Sequence, residues 1–173
     1  GTTAGLSEQD IIGFSTAMGS LGITAEAGAT SFSTVMSTID SSVTSGGEKL
    51  EEFAKISGMT VSEFKQGWEQ DAGQTIVKFL EGLHSIDEQG GDTTKVLTDL
   101  FGSGTRIRDV MLRLAGNTSL VSDALQTSNV AWEKNTALQE EADKRYETTA
   151  SQLEIAKNKI YNLGISIGQQ LLP

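Results

Sequence analysis

Val130–Leu172 reads VAWEKNTALQEEADKRYETTASQLEIAKNKIYNLGISIGQQLL, and this stretch decides the fold. It has no proline, and its only glycines are Gly164 and Gly168, near the end. Glu, Lys, Ala, Gln and Leu dominate it, residues that lose little on entering a helix. The stretch predicts one long helix, reaching roughly 60–65 Å at about 1.5 Å per residue. Within it, Tyr146, Thr149, Leu153, Ala156, Ile160, Leu163, Ile167 and Gln170 recur at steps of 3 and 4. That is a heptad seam over roughly three and a half heptads, weakened by its Thr, Ala and Gln members. Two readings stand: the seam packs on the same chain's own helices, or it self-associates in parallel or continues into a longer fibrous chain. The lack of a glycine cap before Pro173 favours continuation.

Upstream the pattern changes. Glycines recur, and the apolar spacing between them is helical, with no alternation typical of strands. Ser7 and Asp10 open a first helix with Ile11, Phe14, Met18 and Leu21 on one face. Thr24 opens a second, with Phe32, Val35, Met36, Ile39 and Val43 inward. A third, short helix carries Leu50, Phe53 and Ala54 and ends at Gly58. Thr60 and Glu63 form a capping box ahead of Phe64 and Trp68. Asp71 caps a helix with Ile76, Val77, Phe79, Leu80 and Leu83. Asp92 or Thr93 opens one with Val96, Leu97 and Leu100, and Thr105 one with Ile107, Val110, Met111 and Leu114. A short helix through Leu120, Val121, Ala124 and Leu125 precedes the rod. The expected fold is all-α: a bundle of short glycine-separated helices over 1–128, then one long helix over 129–173, part of it packing on the bundle. The chain begins at Gly1 and stops at its only proline, Pro173, and so reads as a fragment of a longer polypeptide.

Composition narrows the function. Hydrophobic residues make up 37% of the 173, and the mean hydropathy is −0.19, ordinary for a chain that folds in water. No apolar run is long enough for a transmembrane helix, and no signal peptide opens the chain. The net charge is −10, with 17 acids and 8 bases before residue 130 and 6 acids and 5 bases after it. An acidic body repels phosphates, so no direct nucleic acid binding is expected. The absence of cysteine removes disulfides and thiol chemistry.

Candidate chemistry is sparse. His84 is the only histidine, and near a helix C-terminus beside Asp87 and Glu88 it reads as a surface group meeting the helix dipole. Glu140, Glu141 and Asp143 read as a solvated face, with Glu140–Lys144 and Glu141–Arg145 as favourable i, i+4 pairs. Asp40, Asp87 and Asp92 lack calcium-loop spacing. Phe101–Arg108, FGSGTRIR, places two glycines, a hydroxyl and two arginines before a helix, but without the lysine or preceding strand of a phosphate loop. It reads as a tight turn whose arginines pair with the acidic excess. Trp68 and Trp132 are expected as core or junction anchors, Trp132 packing back onto the helices. No catalytic, cofactor-binding or metal residue is expected, and no enzyme.

An ordered set of segments carries a family likeness: Ala17–Glu26 (AMGSLGITAE), Glu48–Met59 (EKLEEFAKISGM), Phe64 with Trp68, Val77–Leu83 (VKFLEGL), Met111–Asn117 (MLRLAGN), Ala131–Ala142 (AWEKNTALQEEA) and Ala150–Glu154 (ASQLE). The run resembles the core region of phage tail tape measure proteins, the minor tail protein family of long-tailed bacteriophages and prophages. The likeness covers about Ile11 to Pro173. It implies a long helical protein in the lumen of the virion tail tube, made in the host cytoplasm. Such a protein sets tail length as the tube protein polymerises, then leaves ahead of the DNA and helps it cross the host envelope. The partners implied are further copies and tail tube or tail assembly proteins. The family core has no catalytic residues; some members carry peptidoglycan-cleaving domains elsewhere. The alternative is a membrane- or envelope-interacting module, suggested by Ile160–Leu172, which carries no charge.

Overall fold

Helix boundaries fall where hydroxyl and acidic side chains supply caps. In the computed structural model, which describes residues 6–171 and side chains through Asn158, Ser7 accepts a hydrogen bond from the Asp10 N–H while the Asp10 carboxylate accepts from the Ser7 N–H. Aspartate thus completes the reciprocal box usually closed by the longer glutamate. Thr60 and Glu63 close a second box, and Asp71 and Asp92 each accept from the N–H three residues on. The described residues form eight α-helices and no strand: α1 Glu8–Ser20, α2 Ala25–Ser45, α3 Glu48–Ile56, α4 Val61–Gln70, α5 Ala72–Glu88, α6 Thr93–Phe101, α7 Thr105–Ala115 and α8 Thr118–Leu171. The fold is all-α with a long last helix. At the end of α3, Gly58 takes φ +67°. Its N–H reaches Lys55 O, and the Met59 N–H reaches Ala54 O, which is the paired bonding of a Schellman stop.

The chain divides into two units, Gly1–Val130 and Ala131–Pro173. In the first, α5 packs against α3, α4, α6 and α7, and α2 lies along α7. Its centre is an aromatic group: Phe53 of α3 lies 6.1 Å from Phe64, 5.3 Å from Phe79 and 5.7 Å from Phe101, ring to ring. Four helices therefore share one cluster, in the offset and edge-on arrangements aromatic rings favour. Trp68 is buried as expected, and its indole N–H donates to Asp40 Oδ1 at 3.3 Å. Among the described residues, the buried Ser31 hydroxyl oxygen finds no hydrogen-bond partner.

Several expectations change. Ile11 does not face the core; it is 45% exposed, and the buried face of α1 is Asp10, Gly13, Phe14, Ala17 and Met18. The cause is close approach: a Cβ on Gly13 would sit 2.9 Å from the Leu125 Cα, so α1 meets α8 through its smallest residue. The expected short helix through Leu125 is not separate from the rod. Both belong to α8, since neither glycine nor proline interrupts the chain between Thr118 and Gly164. At the start of α8, Val121 and Leu125 are buried and the Ser128 hydroxyl donates to Gln9 O at 2.7 Å. From Val130 to Asn158 every side chain is exposed. Trp132 is 36% exposed.

Candidate functional site

α8 presents apolar side chains to solvent at helical spacing. Tyr146 is 78% exposed and Leu153 68%, and Leu138 and Ile155 are also bare. Thr149 and Ala156, the intervening members of the expected seam, are exposed as well. Ile160, Leu163, Ile167 and Gln170 lie outside the residues whose side chains are described. Counting back from Leu153 in sevens gives Tyr146, Gln139, Trp132 and Leu125. The repeat that Leu125 ends inside the first unit is thus the one that Tyr146 and Leu153 carry onward, a continuity missed when the register is started at Tyr146. A straight helix drifts about 20° per heptad against such a repeat. A sevenfold stripe stays on one face only if the helix coils about a partner. The polar side of α8 holds its own contacts: Arg145 Nε meets Glu141 Oε1 at 3.1 Å. Glu140 and Lys144 form no such pair among the described ion pairs.

A second feature is an apolar groove between α1 and α2, about 680 Å³, walled by Leu6, Phe14, Met18, Ile23, Phe32 and Met36. Phe14 and Phe32 touch in its wall, with centroids 4.8 Å apart and rings tilted by 41°. Gly28 shapes its floor: a Cβ there would come within 3.0 Å of the Met18 sulfur. Periodicity alone could not reveal this groove, because the residues that wall it read in sequence as two ordinary core faces. Ile11, off the core, lies on its rim.

The remaining candidates are structural. His84 Nε2 faces Glu88 at 3.5 Å on the surface of the last turn of α5. The Phe101–Arg108 segment is a turn: Gly102 caps α6 at φ +83°, and Gly104 holds the cap position of α7 without a side-chain bond. Its arginines do not pair with acids as expected; among the described ion pairs neither Arg106 nor Arg108 appears, and Arg108 donates instead to Thr98 Oγ1 at 3.3 Å. Lys49 donates to the Leu100 carbonyl at 3.1 Å, a cation at the negative end of α6. Among the described residues no group of three potential ligands is placed to hold a metal ion, and no helix is long and apolar enough to cross a membrane. The Glu63 carboxyl is held below its ordinary range, chiefly by the backbone N–H of Thr60 and next by its hydroxyl.

Comparison of the chain with protein-family models, with curated proteins and with solved structures finds no match.

Proposed function

We propose that this chain is a structural segment of a phage or prophage tail tape measure protein, acting through helix packing and association between copies. The observation that carries this reading is the exposed heptad stripe of α8, with Tyr146 and Leu153 bare on an unbroken helix. Large apolar groups at seven-residue spacing on a solvated helix are a standing demand for a helical partner. The ordered segments that resemble the tape measure core supply the biological setting. A ruler needs length fixed by covalent structure, and an uninterrupted helix supplies it at about 1.5 Å per residue.

Two measurements test the proposal. In light scattering, the wild-type mass should rise with concentration, and Leu153→Glu with Tyr146→Glu should hold the chain monomeric. In the phage or prophage that encodes it, in-frame removal of residues 133–153 should shorten tails by roughly 30 Å for a fully helical ruler, read by electron microscopy. Tails of unchanged length would sink the ruler.

A further inference from the structure

We propose that the α1–α2 groove of one copy receives the uncharged C-terminal turns of α8, Ile160–Leu171, from a second copy. The inference deepens the self-association reading and rests on it. Among the described residues no ionised side chain lines the groove, although its unit carries 17 acids and 8 bases before residue 130. The polar groups that reach it are hydroxyls on Ser15, Thr24, Ser33 and Ser37. A charged occupant would lose its hydration there and find no partner. An apolar occupant without charge is what the surface accepts.

The chain has three long stretches free of Asp, Glu, Lys and Arg: 11–25, 27–39 and 160–173. The first two build the walls of the groove. The third stands outside the first unit, and its backbone is helical through Leu171. Its sequence sets Ile160, Leu163, Ile167 and Leu171 three or four residues apart, the anchor spacing of a helix laid in a groove. The groove volume of about 680 Å³ falls within the roughly 300–1,000 Å³ of sites that enclose several apolar groups. Met18 and Met36 give its walls unbranched side chains that adjust to an incoming face. Groove and helix end are different surfaces, so the contact is heterologous: each docked copy still offers one of each, and copies add in line rather than closing as a two-fold pair.

The chain contains no cysteine, so introduced thiols report cleanly. Ser33→Cys protein mixed with Leu171→Cys protein and treated with a short bismaleimide should give a crosslinked heterodimer. Its yield should exceed several-fold that of Ser33→Cys mixed with a Lys134→Cys control. Adding Ala29→Arg, at an exposed rim position, to the Ser33→Cys protein should abolish that product while its thermal melting stays unchanged. Yields equal to the control overturn the proposal, as does closure of the Ser33→Cys, Leu171→Cys double variant within single molecules at high dilution. A mass that still rises with concentration would then leave association through the α8 stripe standing. A chain monomeric at every concentration would remove both.

Discussion

The first unit and the helix after Val130 use the same residue types to opposite ends. In α5, Ile76, Val77, Phe79, Leu80 and Leu83 are all buried, because neighbouring helices reach them. In α8, Tyr146 and Leu153 have equal apolar character and regular spacing, yet they stand in solvent. Small residues separate the two cases. In the first unit Gly13, Gly73 and Gly82 sit where helices come close; a Cβ on Gly82 would lie 1.7 Å from the Ile56 carbonyl oxygen. Between Ala131 and Asn158 there is no glycine at all. Burial follows from close approach, and periodicity only states which face is ready for it.

That contrast is most exposed at Gly82. Gly82→Ala drives a methyl into the α3 backbone and should cost the first unit about 4 kcal/mol or more, seen as a collapsed urea midpoint by circular dichroism and Trp68 fluorescence. Gly19→Ala makes the opposite point. Nothing lies within 4 Å of its Cβ position, so the exchange should stabilise α1 by about 0.5–1 kcal/mol.

Next in size is Ala150→Pro. It removes a helical hydrogen bond and clashes with the preceding turn, costing about 3 kcal/mol locally. In a Trp132→Phe background, helical signal should fall while the urea midpoint reported by Trp68 stays put. A shift in that midpoint would mean that the two regions melt as one and the contrast is false.

Thr60→Ala should cost the first unit about 1 kcal/mol by removing the α4 cap. Ser31→Ala should act in the opposite direction by a similar amount, about 1 kcal/mol gained, since it deletes a buried hydroxyl oxygen that bonds to nothing. If Ser31→Ala destabilised the fold, that oxygen would have an unseen partner.

The smallest effect is a pH term. Glu63 titrates below the ordinary glutamate value because the Thr60 backbone N–H, and next its hydroxyl, stabilises the carboxylate. Its contribution is present in full above that value and is lost as pH falls through the lowered folded value. Glu63→Gln should flatten this acid limb of the stability curve and leave neutral-pH behaviour nearly unchanged.

Much of this was legible in residues alone. Ser7, Thr24, Thr60 and Asp71 announced helix starts, Asp92 shared one with Thr93, and each of these five caps in the structure, with Asp92 chosen over Thr93, because capping is a local event decided within four residues. The apolar faces of α2 and α5 were equally plain. Ile11 misled: α1 turns Gly13 inward because Leu125, far along the chain, lies against it, and no local pattern encodes a partner so distant. The join of the Leu125 helix to the rod was missed because Gly116 and Asn117 mark only where α8 begins. The α8 stripe was visible as a repeat, but its exposure was not. The groove was invisible, since it is the gap left where two correctly read helices meet.

What the sequence determined by itself is helix: its starts, its stops, the all-α class and the long run from Val130, since caps, glycines and propensity act over a turn or two. Only the tertiary structure decided which apolar faces are satisfied. That outcome depends on how near two backbones pass, as at Gly82 and Ile56, a distance set by contacts between residues far apart in the chain.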